Sequence, residues 1–345
     1  MKISHTNVFS QAGLWLLAAS SLMLSACTKP HQSQPQNAEP ATTQQSGSEP
    51  SPAAPSDLTT LNIGYQKAAL KLIVAKKNQF FEQQFPNVKI AWKEFPAGPQ
   101  TLEALAVGAI DVGYTGDVPI IFSLAAGKEL KYLGYEDGSQ QGHALLLPLN
   151  SPIKKLSDLK GKRIALTKGS SAHYFLAETL KKAGLEWKDI QAIWLTPADG
   201  RAALDKKAID AWATWEPYVS ATELQGDAIN FFDSTQLDLT YAFYPAQNKF
   251  VQQHPQAAQQ IIQVLNHTDE WISQHPEQTA QILAQSTGLS IEVATTVLHK
   301  KPQPNPVALV NPKVLQAQQG IANTFYTLQL IPKQVQVDTA VWDGK

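Results

Sequence analysis

One stretch of this chain repeats itself, and the repeat constrains the fold more than any other feature. Ile63-Gly64-Tyr65-Gln66-Lys67-Ala68-Ala69 lies over Ile164-Ala165-Leu166-Thr167-Lys168-Gly169-Ser170, and Pro96-Ala97 lies over Pro197-Ala198 at the same offset. Ala109-Ile110-Asp111 then lies over Ala208-Ile209-Asp210, with Thr115 over Thr214, Asp117 over Glu216 and Gly127 over Gly226. The offset shrinks between blocks, as a shorter loop-helix connection in the second copy requires. Around these blocks strand and helix patterns alternate. Leu61–Tyr65, Val88–Phe95 and Ile110–Tyr114 read as strands, Ala68–Phe85 has helical spacing, and Thr101–Val107 reads as a helix ended by Gly108. Such alternation is the pattern of an α/β sheet, and two copies predict an α/β protein with two similar lobes.

A chain of 345 residues, 43% hydrophobic and 17% charged, has the length and the apolar content to core both lobes. The first lobe is expected over residues 58–148 and the second over 149–244. Residues 245–345 are expected to return, mostly as helices, to cover the first lobe. His254-Pro255 and His275-Pro276 each place proline at a helix first turn, and Val314–Leu328 reads as a further helix. Crossings near Pro148 and Tyr244 predict a hinge with a cleft between the lobes.

The N-terminus reads as an export signal over residues 1–26. Lys2 gives a positive start, Leu14-Trp15-Leu16-Leu17-Ala18-Ala19 through Leu24 an apolar core, and Leu24-Ser25-Ala26-Cys27 resembles a lipobox. There the Cys27 thiol is the nucleophile toward lipid, and the small residues before it fit the signal peptidase. Ser20-Ser21 interrupts the apolar run, which is short for a helix of about 20 residues that would span a membrane. Acyl chains on Cys27 would hold the protein on a membrane surface, facing the periplasm or the cell exterior. Residues 27–57 follow as a tether of Gln, Pro, Ser, Ala and Thr, too poor in bulky apolar side chains to offset their ordering entropy.

Several functions are disfavoured. Lys plus Arg (28) nearly balances Asp plus Glu (29), which removes the electrostatic ground for a nucleic-acid partner. The eight histidines and the single cysteine form no cluster at metal-ligand spacing. No nucleophile elbow, phosphate-binding loop or dinucleotide fingerprint occurs, so neither an enzyme nor a cofactor is expected, and the protein is expected to act as a monomer.

In each lobe the loops after the strands lead into helix N-termini, where free N–H groups and the positive dipole end favour an anion. The candidates are Gln66-Lys67, Ala97-Gly98, Thr115-Gly116-Asp117, Gly169-Ser170-Ser171 and Trp215-Glu216. Ser170 and Ser171 add hydroxyl donors. Asp117 and Glu216 either stabilise their own helix starts or pair with a ligand amine. Trp212 and Trp215 either pack in the core or form an apolar wall for a ligand tail. His173, within a turn of its helix start, either donates to the anion or faces solvent.

At these same residues the sequence resembles the aliphatic sulfonate-binding proteins of ABC importers. The resemblance runs through Ile63-Gly64-Tyr65-Gln66-Lys67, Glu94-Phe95-Pro96-Ala97-Gly98-Pro99-Gln100, Thr115-Gly116-Asp117 and Asn150-Ser151-Pro152-Ile153-Lys154. It continues through Asp158-Leu159-Lys160-Gly161, Lys168-Gly169-Ser170-Ser171, Leu195-Thr196-Pro197-Ala198-Asp199, Asp210-Ala211-Trp212-Ala213 and Leu330-Ile331-Pro332-Lys333. It implies the type II periplasmic-binding-protein fold, an extracytoplasmic location, and delivery of a small organic sulfonate to a permease and its ATPase for sulfur acquisition. Taurine, nitrate or a thiamine precursor are the alternative ligands, and an enzyme on the same fold is the alternative class. Two features depart from the pattern: the lipobox with its tether, and Glu216 where aspartate is expected after the second lobe's tryptophan.

Overall fold

The structure, a computed structural model, describes residues 57–237 and 241–345. The signal segment, Cys27 and the tether before Asp57 lie outside the described residues. The first part of the chain forms β1 (Thr60–Tyr65), α1 (Leu70–Lys77), α2 (Phe80–Gln84), β2 (Lys89–Glu94) and α3 (Gly98–Ala106). Short β3 (Val112–Gly113) and β4 (Thr115–Gly116), α4 (Asp117–Ala125) and β5 (Leu130–Asp137) complete it. The single helix expected over Ala68–Phe85 is broken, because Gln79 adopts φ 58°, a left-handed conformation that ends one helix and starts the next.

The second part forms β6 (His143–Pro148), β7 (Arg163–Leu166), α5 (Ser171–Lys182), β8 (Gln191–Trp194) and α6 (Pro197–Asp205). β9 (Ala211–Trp215), α7 (Tyr218–Gln225) and β10 (Ala228–Asp233) follow. The remainder is β11 (Tyr241–Gln247) and five helices: α8 (Asn248–Gln253), α9 (Pro255–Gln274), α10 (Pro276–Thr287), α11 (Ile291–His299) and α12 (Pro312–Thr327). Both His-Pro steps open a helix, as expected.

Two sheets result, so the α/β class and the two-sheet plan are as the sequence predicts. The first has the order β2-β1-β3-β11-β4, with β5 on β11; the second has the order β10-β6-β9-β7-β8. The internal repeat is visible at atomic level. β1 lies parallel between β2 and β3, as β7 does between β8 and β9, and Gly64 pairs with Gly113 where Ala165 pairs with Trp212. Asp111 accepts a hydrogen bond from the Asn62 amide at 2.8 Å, and Asp210 accepts one from the Arg163 amide at 2.8 Å. In both copies the same aspartate also returns its own amide to that strand's carbonyl, at 2.8 Å and 2.9 Å. The aspartate therefore clamps the turn before the third strand onto the first, which explains why the repeat retains it.

The expected crossings at Pro148 and Tyr244 fall inside strands. β6 ends at Pro148 yet pairs antiparallel with β9 and β10, and Tyr244 lies within β11, which pairs antiparallel with β3, β4 and β5. The chain changes sheet earlier, through residues 138–142 and again between Asp233 and Tyr241. Each crossing thus delivers an antiparallel strand into the sheet it enters, and the run Leu145-Leu146-Leu147 is fully buried there. The main core of the first sheet joins α1 side chains (Leu72, Val74) to α9 (Ile261, Leu265), α10 (Leu283) and α11 (Val297). α12 packs instead on α4, through Phe325 against Phe122 at 5.3 Å between ring centroids. Among the described residues no helix is long and apolar enough to cross a membrane.

Candidate functional site

The parallel strands of both sheets end at one cleft that is partly open to solvent. Crevices beyond the carboxyl ends of parallel strands are the usual ligand sites of open α/β sheets. Of the residues singled out in the sequence, Gln66, Lys67, Gly98, Gly116, Ser170, Ser171, Trp215 and Glu216 line it. Gly116 and Trp215 are the last residues of β4 and β9, and the others come from the segments that follow β1, β2, β7 and β9, so matched strand ends of the two copies do converge.

Close approach of backbone explains the two glycines. A Cβ on Gly98 would stand 2.2 Å from Thr115 Oγ1, and one on Gly116 would stand 3.0 Å from Ser171 Oγ. The second contact links the two sheets directly at the cleft wall. Thr115 is fully buried behind Gly98 and does not line the cleft.

The remaining candidates lie elsewhere. Trp212 is buried against Gly200 and Tyr218, because an odd spacing along β9 turns it and Trp215 to opposite faces. His173 neither faces solvent nor reaches the cleft. It is buried, and its Nδ1 accepts the Gly169 amide at 3.2 Å. Asp117 is buried in the first turn of α4, where burial pushes its pKa up to about 7 despite the nearby amides of Val118 and Asp117 itself.

Three residue groups in the cleft escaped the sequence reading. Glu136 and Asp137 line it from the end of β5; Ser139, Gly142 and His143 line it from the crossing and the start of β6; Lys300 and Lys301 line it from just after α11. Glu136 meets Lys71 at 2.5 Å and accepts the Tyr244 hydroxyl at 2.9 Å. Burial alone would raise its pKa, but the Lys71 and Lys301 charges and these hydrogen bonds hold it below the ordinary carboxylate value. Glu216 meets Lys300 at 2.8 Å and also accepts the Ser220 amide and hydroxyl at 3.1 Å and 2.9 Å. Its carboxylate is therefore engaged by its own helix and by a cation. The signal available in sequence was topological: chain crossings must border an interlobe cleft.

What remains for a ligand is a set of neutral donors, beside the Lys67 and Lys301 ammonium groups that also line the cleft. α3 and α5 carry no acidic residue in their first turns, whereas α4 opens on its own Asp117 carboxylate. The starts of α3 and α5, one from each half, have no side-chain cap and offer free amides and positive dipole ends. Ser170 spends its hydroxyl on the Thr167 carbonyl at 2.7 Å, while Ser171 Oγ lies 2.8 Å from His143 Nε2. Leu70, Leu283, Val297 and Trp215 supply apolar wall to the same cleft. Among the described residues no group of three His, Cys, Asp or Glu side chains could hold a metal.

A cleft between two sheets, built from the strand ends and strand-to-helix loops of both, is the arrangement of a two-lobed periplasmic-binding-protein fold. The chain belongs to the NMT1/THI5-like family, whose profile matches residues 66–279. It is 42% identical over 290 residues to the "Putative aliphatic sulfonates-binding protein" of Escherichia coli (strain K12), covering 84% of this chain and 91% of that one. The solved alkanesulfonate-binding protein SsuA from Xanthomonas axonopodis pv. citri, bound to MOPS, superposes with a TM-score of 0.81 at 41% identity, covering 84% of this chain and 99% of that one. The periplasmic aliphatic sulphonate-binding protein SsuA from Escherichia coli superposes with a TM-score of 0.75 at 42% identity, covering 82% and 97%. These relatives are binding proteins, not enzymes.

Proposed function

We propose that the protein is the extracytoplasmic solute-binding component of an ABC importer, capturing aliphatic sulfonates for sulfur acquisition. The observation that carries this reading is the convergence of the α3 and α5 starts, through Gly98 and Ser171, beside an apolar wall. A sulfonate stays charged at biological pH and only accepts hydrogen bonds, so neutral donors and dipole ends suit it. An alkyl tail suits the Leu70, Leu283 and Val297 wall. The sulfonate-binding relatives support the same ligand class. In this reading the halves act as lobes hinged at the two crossings, the protein works as a monomer, and lipid on Cys27 anchors it for delivery to a permease and its ATPase.

Calorimetric titration of the purified protein with methane-, butane- and octanesulfonate, taurine, sulfate and nitrate tests the ligand. Saturable binding of alkanesulfonates, with a matching rise in thermal stability, is expected. Absence of binding with every sulfonate overturns the reading, and turnover of a bound ligand would replace it with an enzyme.

A further inference from the structure

His143 belongs to the segment that carries the chain from the first sheet into the second, and no family motif named above includes it. It opens β6, opposite Trp215 of β9, and its backbone amide donates to Ser234 Oγ at 3.1 Å. Its ring stacks on Phe175 at 5.9 Å with a 24° tilt. Only 7% of the residue is exposed, on the cleft side. Among the described residues Nδ1 is buried without a hydrogen-bond partner, and the ring's single polar contact there is Nε2 to Ser171 Oγ at 2.8 Å.

That contact decides what Ser171 can offer a ligand. A serine hydroxyl carries one proton. If Ser171 donates it to a bare Nε2, the oxygen turns lone pairs toward the cleft and repels a ligand that only accepts hydrogen bonds. If Nε2 carries the imidazole proton, it donates to Ser171 Oγ, and the serine proton is free to point at the ligand. Ser170 cannot replace it, since its hydroxyl already serves the Thr167 carbonyl. Ser171 is also pressed against Gly116 of the other sheet, which limits where its hydroxyl can swing.

We propose that His143 is a positioning residue that holds its Nε2–H tautomer, donates to Ser171 Oγ, and turns the serine's only hydroxyl proton toward the oxyanion in the cleft. The inference rests on the reading of the cleft as a sulfonate site. Burial favours the neutral ring, pushing its pKa down to about 4, so throughout the neutral range the ring carries one proton and its tautomer decides the direction of the bond to Ser171. The cleft is thereby tuned to oxyanions whose oxygens all accept, and a ligand that must donate at this point loses a partner.

The test uses the full chain with butanesulfonate as probe. His143→Leu should weaken binding by roughly tenfold or more, the size of a lost hydrogen bond to a charged group. His143→Gln, whose side-chain amide can reach the same point with an N–H, should restore most of the affinity. Ser171→Ala should make the two histidine variants bind alike, because the hydroxyl they act on is gone. Nitrogen-15 NMR of the wild-type ring, with ligand bound, should show the proton on Nε2. Wild-type affinity in His143→Leu, failure of glutamine to rescue, or a proton on Nδ1 in the bound protein would each overturn the proposal. The tautomer measurement stands even if a variant fails to fold. Failure of wild-type protein to bind any sulfonate instead overturns the functional reading beneath it.

Discussion

The imidazole of His173 sits among four aromatic rings, with centroid distances of 5.8 Å to Phe122, 5.0 Å to Phe325, 4.7 Å to Trp187 and 5.2 Å to Trp194. Burial first, and the nearby Lys168 charge second, push its pKa down from 6.5 to about 3. The folded ring thus resists a proton that the unfolded chain accepts. The stability tied to it is fully present above the unfolded pKa of 6.5 and is lost as pH falls through about 3. Between neutral pH and about pH 4.5 this one ring should cost on the order of 2 kcal/mol of stability. His173→Asn keeps an acceptor for the Gly169 amide but does not titrate. It should be less stable than wild type at neutral pH, through lost ring packing, and should show a shallower decline on acidification. Urea melts at the two pH values check this; parallel declines in both proteins would remove His173 as the source.

Helix α1 carries its charge inward. Lys71 is 4% exposed and bridges Glu136 of β5 at 2.5 Å and Asp269 of α9 at 3.2 Å, with Asp269 also accepting the Asn305 amide at 2.8 Å. Three elements are therefore keyed to one ammonium group directly beneath the cleft. Lys71→Met would remove the cation that two buried carboxylates share, and breaking a buried pair from one side costs about 3–5 kcal/mol. The urea midpoint should fall accordingly, while Lys71→Met combined with Glu136→Gln and Asp269→Asn should recover much of the loss. A single variant as stable as wild type would show that the charges are not coupled. None of this was legible in the sequence, where Lys71, Glu136 and Asp269 are far apart and each reads as an ordinary helix or strand-end residue. The strand-helix units were legible, because Asp111 and Asp210 perform the same local task in both copies and the chain marks them at matching positions. The site was legible where loops follow the repeated strands. It was not where the crossing and the end of α11 enter from outside the repeat.

Two links join the sheets on either side of the cleft. On one side Ser171 meets Gly116, and α5 packs through His173 on Phe122 and Phe325. On the other, Lys300 at the end of α11 pairs with Glu216 at 2.8 Å and Glu223 at 3.1 Å, both from the β9–α7 region. Burial would lower the Lys300 pKa, yet the two carboxylates raise it above the ordinary lysine value, so the link is charged in this arrangement. Its side chain is 15% exposed against 8% for Glu216, so the pair is largely shielded from screening ions. If the lobes part at the crossings when ligand leaves, this pair must break, and its strength then resists release rather than capture. Lys300→Met should therefore raise the dissociation rate of butanesulfonate by about tenfold and leave the association rate nearly unchanged, as loss of a shielded pair does. Stopped-flow tryptophan fluorescence separates the two, with Trp215 in the cleft wall as a reporter. A slower association at constant dissociation would mean that Lys300 steers the anion inward instead of holding the lobes shut.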